Sequence, residues 1–298
     1  MKFLRKTLAT LAILTAFAGL GSAALAAEKK CEDCHGDDEM VLPIGKTKHG
    51  TTADSRAPAC EACHGTSDGH KKASSKVKPD RTFNKNPSTS VAERSAACLS
   101  CHDRDSQRSH WAGSTHDTRD LACTTCHTIH SGYDKVRDKR NQSEVCFTCH
   151  KEQRTQVNKP SHHPVVEGKM ACGDCHNVHG SVGPKLMKRD SVVETCYTCH
   201  MEKRGPFVHS HEPVNDDCSN CHNPHGTTSE NLLKMRAPFL CQSCHTPHAA
   251  IQPLLKGQAA PAGVAGWNGA SILQGRGCVS CHTQIHGSNS PTSQFLLR

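Results

Sequence analysis

Every cysteine in this 298-residue chain stands in one pattern, and that pattern limits the fold more than any other feature. The 20 cysteines form the pairs Cys31/Cys34, Cys60/Cys63, Cys98/Cys101, Cys123/Cys126, Cys146/Cys149, Cys172/Cys175, Cys196/Cys199, Cys218/Cys221, Cys241/Cys244 and Cys278/Cys281. Each pair is C-x-x-C, followed at once by a histidine: His35, His64, His102, His127, His150, His176, His200, His222, His245 and His282. C-x-x-C-H is the attachment signature of c-type haem. Two thiols add to the vinyl groups on one porphyrin edge, and the next residue sets an imidazole under the iron. A disulfide scaffold gives no reason for the adjoining histidines. Zinc sites built from paired C-x-x-C units do not need the strict Cys-His adjacency. Thioredoxin-like redox motifs do not occur in tens. Ten covalently bound haem c groups account for every cysteine.

The second axial ligand follows from a count. Of 23 histidines, ten are the motif ligands, which leaves His49, His70, His110, His116, His130, His162, His163, His179, His209, His211, His225, His248 and His286. Beyond residue 27 the chain has five methionines, none at a fixed offset from the motifs, so His/Met ligation is not the general scheme. Imidazole on both faces omits the potential-raising methionine and predicts low potentials.

A repeat selects ten of the thirteen. The even-numbered motifs up to the eighth carry one histidine shortly before and one shortly after: His49 and His70, His116 and His130, His163 and His179, His211 and His225. The preceding odd-numbered motifs are bare. Four two-haem units therefore start near residues 31, 98, 146 and 196. A fifth, varied unit starts near 241 with His248 and His286. Within His162/His163 and His209/His211 the member nearer the following cysteine is taken, and both choices stay open at this point. A histidine three residues after its own motif histidine, such as His179 or His225, does not easily wrap to the opposite face of the same porphyrin. It is predicted to serve a neighbouring haem.

Composition agrees with an interior built from porphyrin. Hydrophobic residues make up 35% of the chain with cysteine counted, and aromatic residues only 4%. Ordinary soluble domains reach about 45–50% apolar with glycine included. The side chains cannot supply a normal aliphatic core, and the porphyrin faces provide the missing apolar area. The expected fold class is a multihaem cytochrome c of short α-helices at the motifs, many loops and almost no sheet. Residues 71–97, rich in Lys, Ser and Pro, and 252–277, rich in Gly and Ala, read as loops.

Residues 1–27 read as a signal peptide: Lys2, Arg5 and Lys6, then an apolar run from Leu8 to Leu20, then Ala24-Leu25-Ala26. The apolar run is short of the roughly 20 residues that a membrane span needs. Residues 28–298 then form one exported cytochrome domain. Removing the three basic leader residues leaves 33 Lys and Arg against 28 Asp and Glu, a charge of +5. Ten oxidised haems with ionised propionates bring the holoprotein to about −5, so the raw positive charge does not signal nucleic-acid binding. Lys and Arg are predicted to pair with propionates.

The motif series also carries a family resemblance. The ten motifs, the recurrent Cys-His-Asn-x-His-Gly of Cys175–Gly180 and Cys221–Gly226, Arg236-Ala237-Pro238 before Cys241, and the Cys281–Asn289 ending resemble the MtrA/DmsE family of periplasmic decahaem cytochromes. The resemblance implies an elongated haem wire, with imidazole on both faces of every haem. It also implies insertion into an outer-membrane β-barrel of MtrB type. Electrons then pass between periplasmic carriers and a surface multihaem cytochrome or terminal reductase, in extracellular respiration or oxidation. The chosen distal histidines match the family's ligand positions, whereas His110, His162 and His209 do not. Only about four residues separate the leader from Cys31, so the N-terminal extension of some members is missing here.

The expected function is electron transfer without substrate chemistry. Two other readings compete. A multihaem reductase needs an iron with an open position, yet all ten motifs end in His and candidate ligands exceed irons by three. A subunit of an extracellular cytochrome filament would need end haems that meet those of the next copy.

Overall fold

The protein is described from a computed structural model, which covers residues 30–84, 88–245, 278–280, 282–292 and 295–296. The leader, His248, Cys281 and the whole 252–277 segment lie outside the described residues.

Local structure begins at the motifs. A Cys-x-x-Cys-His run is one helical turn, because cysteines three apart fall on the same side of a helix and the histidine follows below them. The turn closes when the motif histidine N–H donates to the carbonyl of the first cysteine. His35 to Cys31 and His127 to Cys123 are both 3.0 Å, His150 to Cys146 is 2.9 Å and His245 to Cys241 is 2.8 Å. The resulting helices are short: Glu32–His35, Cys60–His64, Cys172–Cys175 and single 3₁₀ turns at Cys123–Thr125, Cys218–Asn220 and Cys278–Ser280. Loops join them, and the described residues contain no strand, only isolated antiparallel bridges.

The helix Val91–His102 departs from this pattern and corrects the loop reading of residues 71–97 over its last part. Its N-terminus is a capping box. Ser90 Oγ accepts the Glu93 N–H at 3.3 Å, and Glu93 Oε2 accepts the Ser90 N–H at 3.0 Å. Two otherwise orphaned donors are satisfied reciprocally, so the helix nucleates two turns ahead of Cys98. The Ser-x-x-Glu signature at 90–93 marks this start in the sequence, beneath the polar composition of the segment around it.

The polypeptide has almost no core of its own. Trp111, Ala122, Val157, Ala171, Met187, Val193 and Tyr197 are the buried hydrophobic residues among those described, and no large side chain is completely enclosed. The repeats dock through their backbones instead. Ser161 and Thr227 exchange hydrogen bonds of 3.2 and 2.8 Å, and His209 and Ser288 exchange two of 2.9 Å. Each bridge ties the segment before one repeat's leading histidine to the His-Gly turn of the next.

Glycine is required at those turns. Gly180 has φ +111 and Gly226 φ +145, a backbone region that side chains rarely adopt. A Cβ on Gly180 would lie 2.0 Å from the His110 carbonyl oxygen, and one on Gly226 2.2 Å from that of Gln156. The Gly of Cys-His-Asn-x-His-Gly is thus the point where one repeat's chain passes against the previous one. No helix among the described residues is long and apolar enough to cross a membrane.

Candidate haem-ligating sites

The motif turns bring thiols and imidazoles together in a regular scheme. Within each repeat the first cysteines of the two motifs meet: Cys31 with Cys60, Cys98 with Cys123, Cys146 with Cys172, Cys196 with Cys218 and Cys241 with Cys278. Between repeats the second cysteines come within electrostatic reach of one another: Cys63 of Cys101, Cys126 of Cys149, Cys175 of Cys199 and Cys221 of Cys244. Consecutive motifs therefore adjoin throughout, alternately by their first and second thiols. The hydrogen bond between Cys98 and Cys123 pushes the Cys98 thiol up and holds Cys123 down at about 6.

Cys34 is exposed to solvent, as are Cys101, Cys126, Cys149, Cys199 and Cys244. Cys34 is the second thiol of the first motif, and no repeat precedes that motif to supply a neighbouring second cysteine. Its turn is nonetheless formed, since the Cys34 N–H donates to the Cys31 carbonyl at 3.2 Å. Its counterpart at the C-terminal end, Cys281, lies outside the described residues.

The histidines assemble into pairs with ring centroids 6.0–6.3 Å apart. Those pairs are His35 with His70, His102 with His49, His64 with His130, His150 with His116, His127 with His179, His200 with His163, His176 with His225, His245 with His211, and His222 with His286. In every case a motif histidine faces a histidine from the predicted distal set. His282 is the motif histidine left over, and its predicted counterpart His248 lies outside the described residues. His110, His162 and His209 enter none of these pairs. His162 bonds Glu167 Oε1 at 3.0 Å, and the His209 ring bonds the Ser290 carbonyl at 3.1 Å. The structure thus sets His163 and His211, not their neighbours, opposite a motif histidine.

The spacing tests whether a haem iron fits. Imidazole nitrogens bind metals at about 2.0–2.1 Å, and a ring radius of about 1.1 Å on each side puts two trans rings roughly 6.3 Å apart centre to centre. The nine pairs match that separation, and each motif histidine sits directly after its two thiols. The donor set suits a covalently bound haem.

Ring orientation is fixed by the nitrogen that does not face the partner ring. On the motif side, His64 Nδ1 bonds the Arg81 carbonyl (3.0 Å), His176 that of Lys185 (2.9 Å) and His222 that of Asn231 (2.8 Å). On the other side, His70 bonds the Val77 carbonyl (2.7 Å), His116 that of Val178 (2.9 Å) and His163 that of Pro224 (2.8 Å). With Nδ1–H donated to a carbonyl, Nε2 carries the free lone pair. His127 differs, since its Nδ1 bonds the Asp134 carboxylate at 2.7 Å. These partners escape sequence reading, because a backbone carbonyl leaves no residue signal. Burial pushes His176, His225 and His286 below the usual imidazole range and His179 down to about 4. They stay neutral at neutral pH, the form that binds metal.

The pairs follow one rule of connectivity. The leading histidine of each repeat reaches the first motif of the next, as His49 reaches His102 and His163 reaches His200. The trailing histidine reaches back to the second motif of the repeat before, as His130 reaches His64 and His225 reaches His176. Each junction is thus crossed twice, in opposite senses. At the N-terminal end His70 closes on His35 of its own repeat.

Comparison with known proteins gives consistent matches. The doubled CXXCH motif family matches residues 162–205 and 211–250, and the family of NrfB-like c-type cytochromes matches residues 60–141. The chain is 42% identical over 272 residues to the multiheme cytochrome MtrA of Shewanella baltica, covering 90% of this chain and 80% of that protein. It is 31% identical over 143 residues to the cytochrome c-type protein NrfB of Escherichia coli, covering 46% of this chain and 73% of that one. The high-molecular-weight cytochrome c of Nitratidesulfovibrio vulgaris is 26% identical over 160 residues, 52% of this chain and 26% of its own.

Proposed function

The chain belongs to the family of multihaem c-type cytochromes that includes MtrA, and from that premise we propose that it is a ten-haem wire carrying electrons across an outer membrane. Covalently bound haem and electron transfer follow from the family and its doubled motifs. The count of ten, imidazole on both faces and the transmembrane role are what we infer beyond that. The observation that carries the inference is the set of nine motif–distal histidine pairs with ring centroids 6.0–6.3 Å apart. Bound at these positions, haem supplies one-electron chemistry, and adjoining motifs give each electron a neighbouring site.

The residues have three tasks in this reading. The cysteines anchor each cofactor by an edge and set the order of sites to the order of the sequence. The ten motif histidines and the ten partners, His49, His70, His116, His130, His163, His179, His211, His225, His248 and His286, would hold the irons. The carbonyls of Arg81, Val77, Val178, Lys185, Pro224 and Asn231 hold the rings in register. An open iron for substrate has no place among the paired histidines, which favours conduction over a reductase.

A chain of polar loops cannot meet lipid directly, because each unsatisfied backbone group in hydrocarbon costs several kcal/mol. A closed β-barrel of MtrB type solves this by presenting apolar residues outward and a polar lumen to the cytochrome. Periplasmic carriers meet one end of the wire, and a surface cytochrome or terminal reductase the other. The test is reconstitution. The holoprotein alone is expected to leave liposomes electronically closed, and the holoprotein with its co-purifying barrel to reduce or oxidise an acceptor trapped inside. Transfer by the cytochrome alone, or a fully loaded barrel complex that stays silent, overturns the conduit reading.

A further inference from the structure

The segment between the third and fourth motifs buries hydrogen-bond donors that no protein group satisfies. Trp111 is 8% exposed, and its indole Nε1–H has no partner. Arg108 stands one helical turn before it. Its terminal nitrogen bonds Asp105, while its buried Nε–H has no partner. A buried donor without a partner costs about 1–3 kcal/mol, so two in one short segment call for an acceptor. The Trp111 ring lies 6.3 Å from that of His179, which in turn stacks on His127. The Arg108 guanidinium and the Asp105 carboxylate both lie within electrostatic reach of His102 and His179. The two donors therefore sit at the edge of the His127/His179 site.

We propose that Trp111 and Arg108 are positioning residues that hydrogen-bond a carboxylate of the cofactor held between His127 and His179, and that they raise its reduction potential. The proposal rests on the reading of His127 and His179 as axial ligands. A propionate is the anionic acceptor that a haem brings to such a place, and it satisfies an indole N–H and a guanidinium N–H together. The sign follows from charge. Unshielded, a propionate stabilises the oxidised haem, whose core carries one more positive charge. Donors that neutralise the carboxylate withdraw that stabilisation and favour reduction. Asp105 opposes the effect and, by binding the other end of Arg108, fixes where its Nε points.

The test uses the full-length holoprotein with Trp111→Phe, Arg108→Gln and Arg108→Lys. Phe keeps an aromatic ring against His179 and removes only the N–H, and Lys keeps the charge. An equilibrium redox titration of the haem absorption is fitted as ten one-electron steps, with haem stoichiometry and the low-spin electron paramagnetic resonance (EPR) spectrum measured alongside. Trp111→Phe and Arg108→Gln are expected each to move one component of ten to lower potential by about tenfold in its equilibrium constant, 59 mV for a one-electron couple. The other nine stay in place, and Arg108→Lys recovers part of the shift. The difference is expected to fade as acid protonates the propionate. Ten unshifted components beside an intact low-spin spectrum overturn the proposal, as does a loss of thermal stability with no change in any potential. A wild-type protein lacking ten low-spin haems removes the ligand reading itself, and the proposal with it.

Discussion

His179 stacks on His127 at 6.1 Å with the ring planes 13° apart, although His176 of its own motif stands only three residues away. The short chain between His176 and His179 cannot carry the second ring around a porphyrin, so it projects back into the preceding repeat. The same holds for His225, which faces His176 at 6.2 Å.

Replacing His179 with alanine should therefore damage a haem that is distant in sequence. The expected result is ten haems still attached, with the one on Cys123 and Cys126 converted from low-spin to high-spin. EPR of the intact protein and of the proteolytic haem peptides checks this. His162→Ala should leave all ten low-spin, because His162 is engaged with Glu167 and enters no ring pair.

The ring planes divide the sites into two groups. His35/His70, His127/His179, His176/His225, His211/His245 and His222/His286 lie within 13–27° of parallel. His163/His200, His64/His130, His49/His102 and His116/His150 are turned by 46–89°. The mutual angle of two axial imidazoles sets how far the iron d orbitals split. Frozen-solution EPR of the oxidised protein should show two families of low-spin signals, rhombic for the near-parallel sites and strongly axial for the turned ones. A single rhombic family would contradict these ring orientations.

Gly226→Ala should loosen the contact between consecutive repeats. The new Cβ meets the Gln156 carbonyl oxygen at 2.2 Å, and φ of +145 is itself unfavourable for alanine. The expected cost exceeds about 1 kcal/mol. It should appear as faster limited proteolysis in the 156–162 segment, with haem content unchanged.

Ser90→Ala removes one half of the capping box at the start of Val91–His102. A lost N-cap typically costs about 1 kcal/mol. Amide exchange in the first turn should quicken about fivefold, while the thiol anchors at Cys98 and Cys101 hold the last turn in place.

Much of this architecture is legible in the sequence because covalent chemistry writes it there. Cysteine and histidine in fixed adjacency name the cofactor, and the flanking histidines at recurrent offsets pick out His163 over His162 and His211 over His209. The paired rings place those same residues opposite His200 and His245. What stays hidden is carried by groups with no sequence signature. The carbonyls of Lys185 and Asn231 orient His176 and His222, yet neither residue type announces that task. The Val91–His102 helix hides for a different reason: its cap is written in two residues, Ser90 and Glu93, inside a segment whose polar composition suggests a loop. The destination of each distal histidine lies beyond local pattern as well, because it depends on how successive repeats fold against one another.

The double crossing at each repeat junction has a consequence for how such a chain can change in length. On this ligand assignment, excising residues 146–195 as a block would bring His116 opposite His200 and His225 opposite His127, and no iron would lose a partner. Excising a single motif together with its trailing histidine, such as residues 172–179, would leave His225 stranded and the His127 iron open. Duplications and losses inside the wire are therefore constrained to whole repeats, and its haem complement grows or shrinks there by twos.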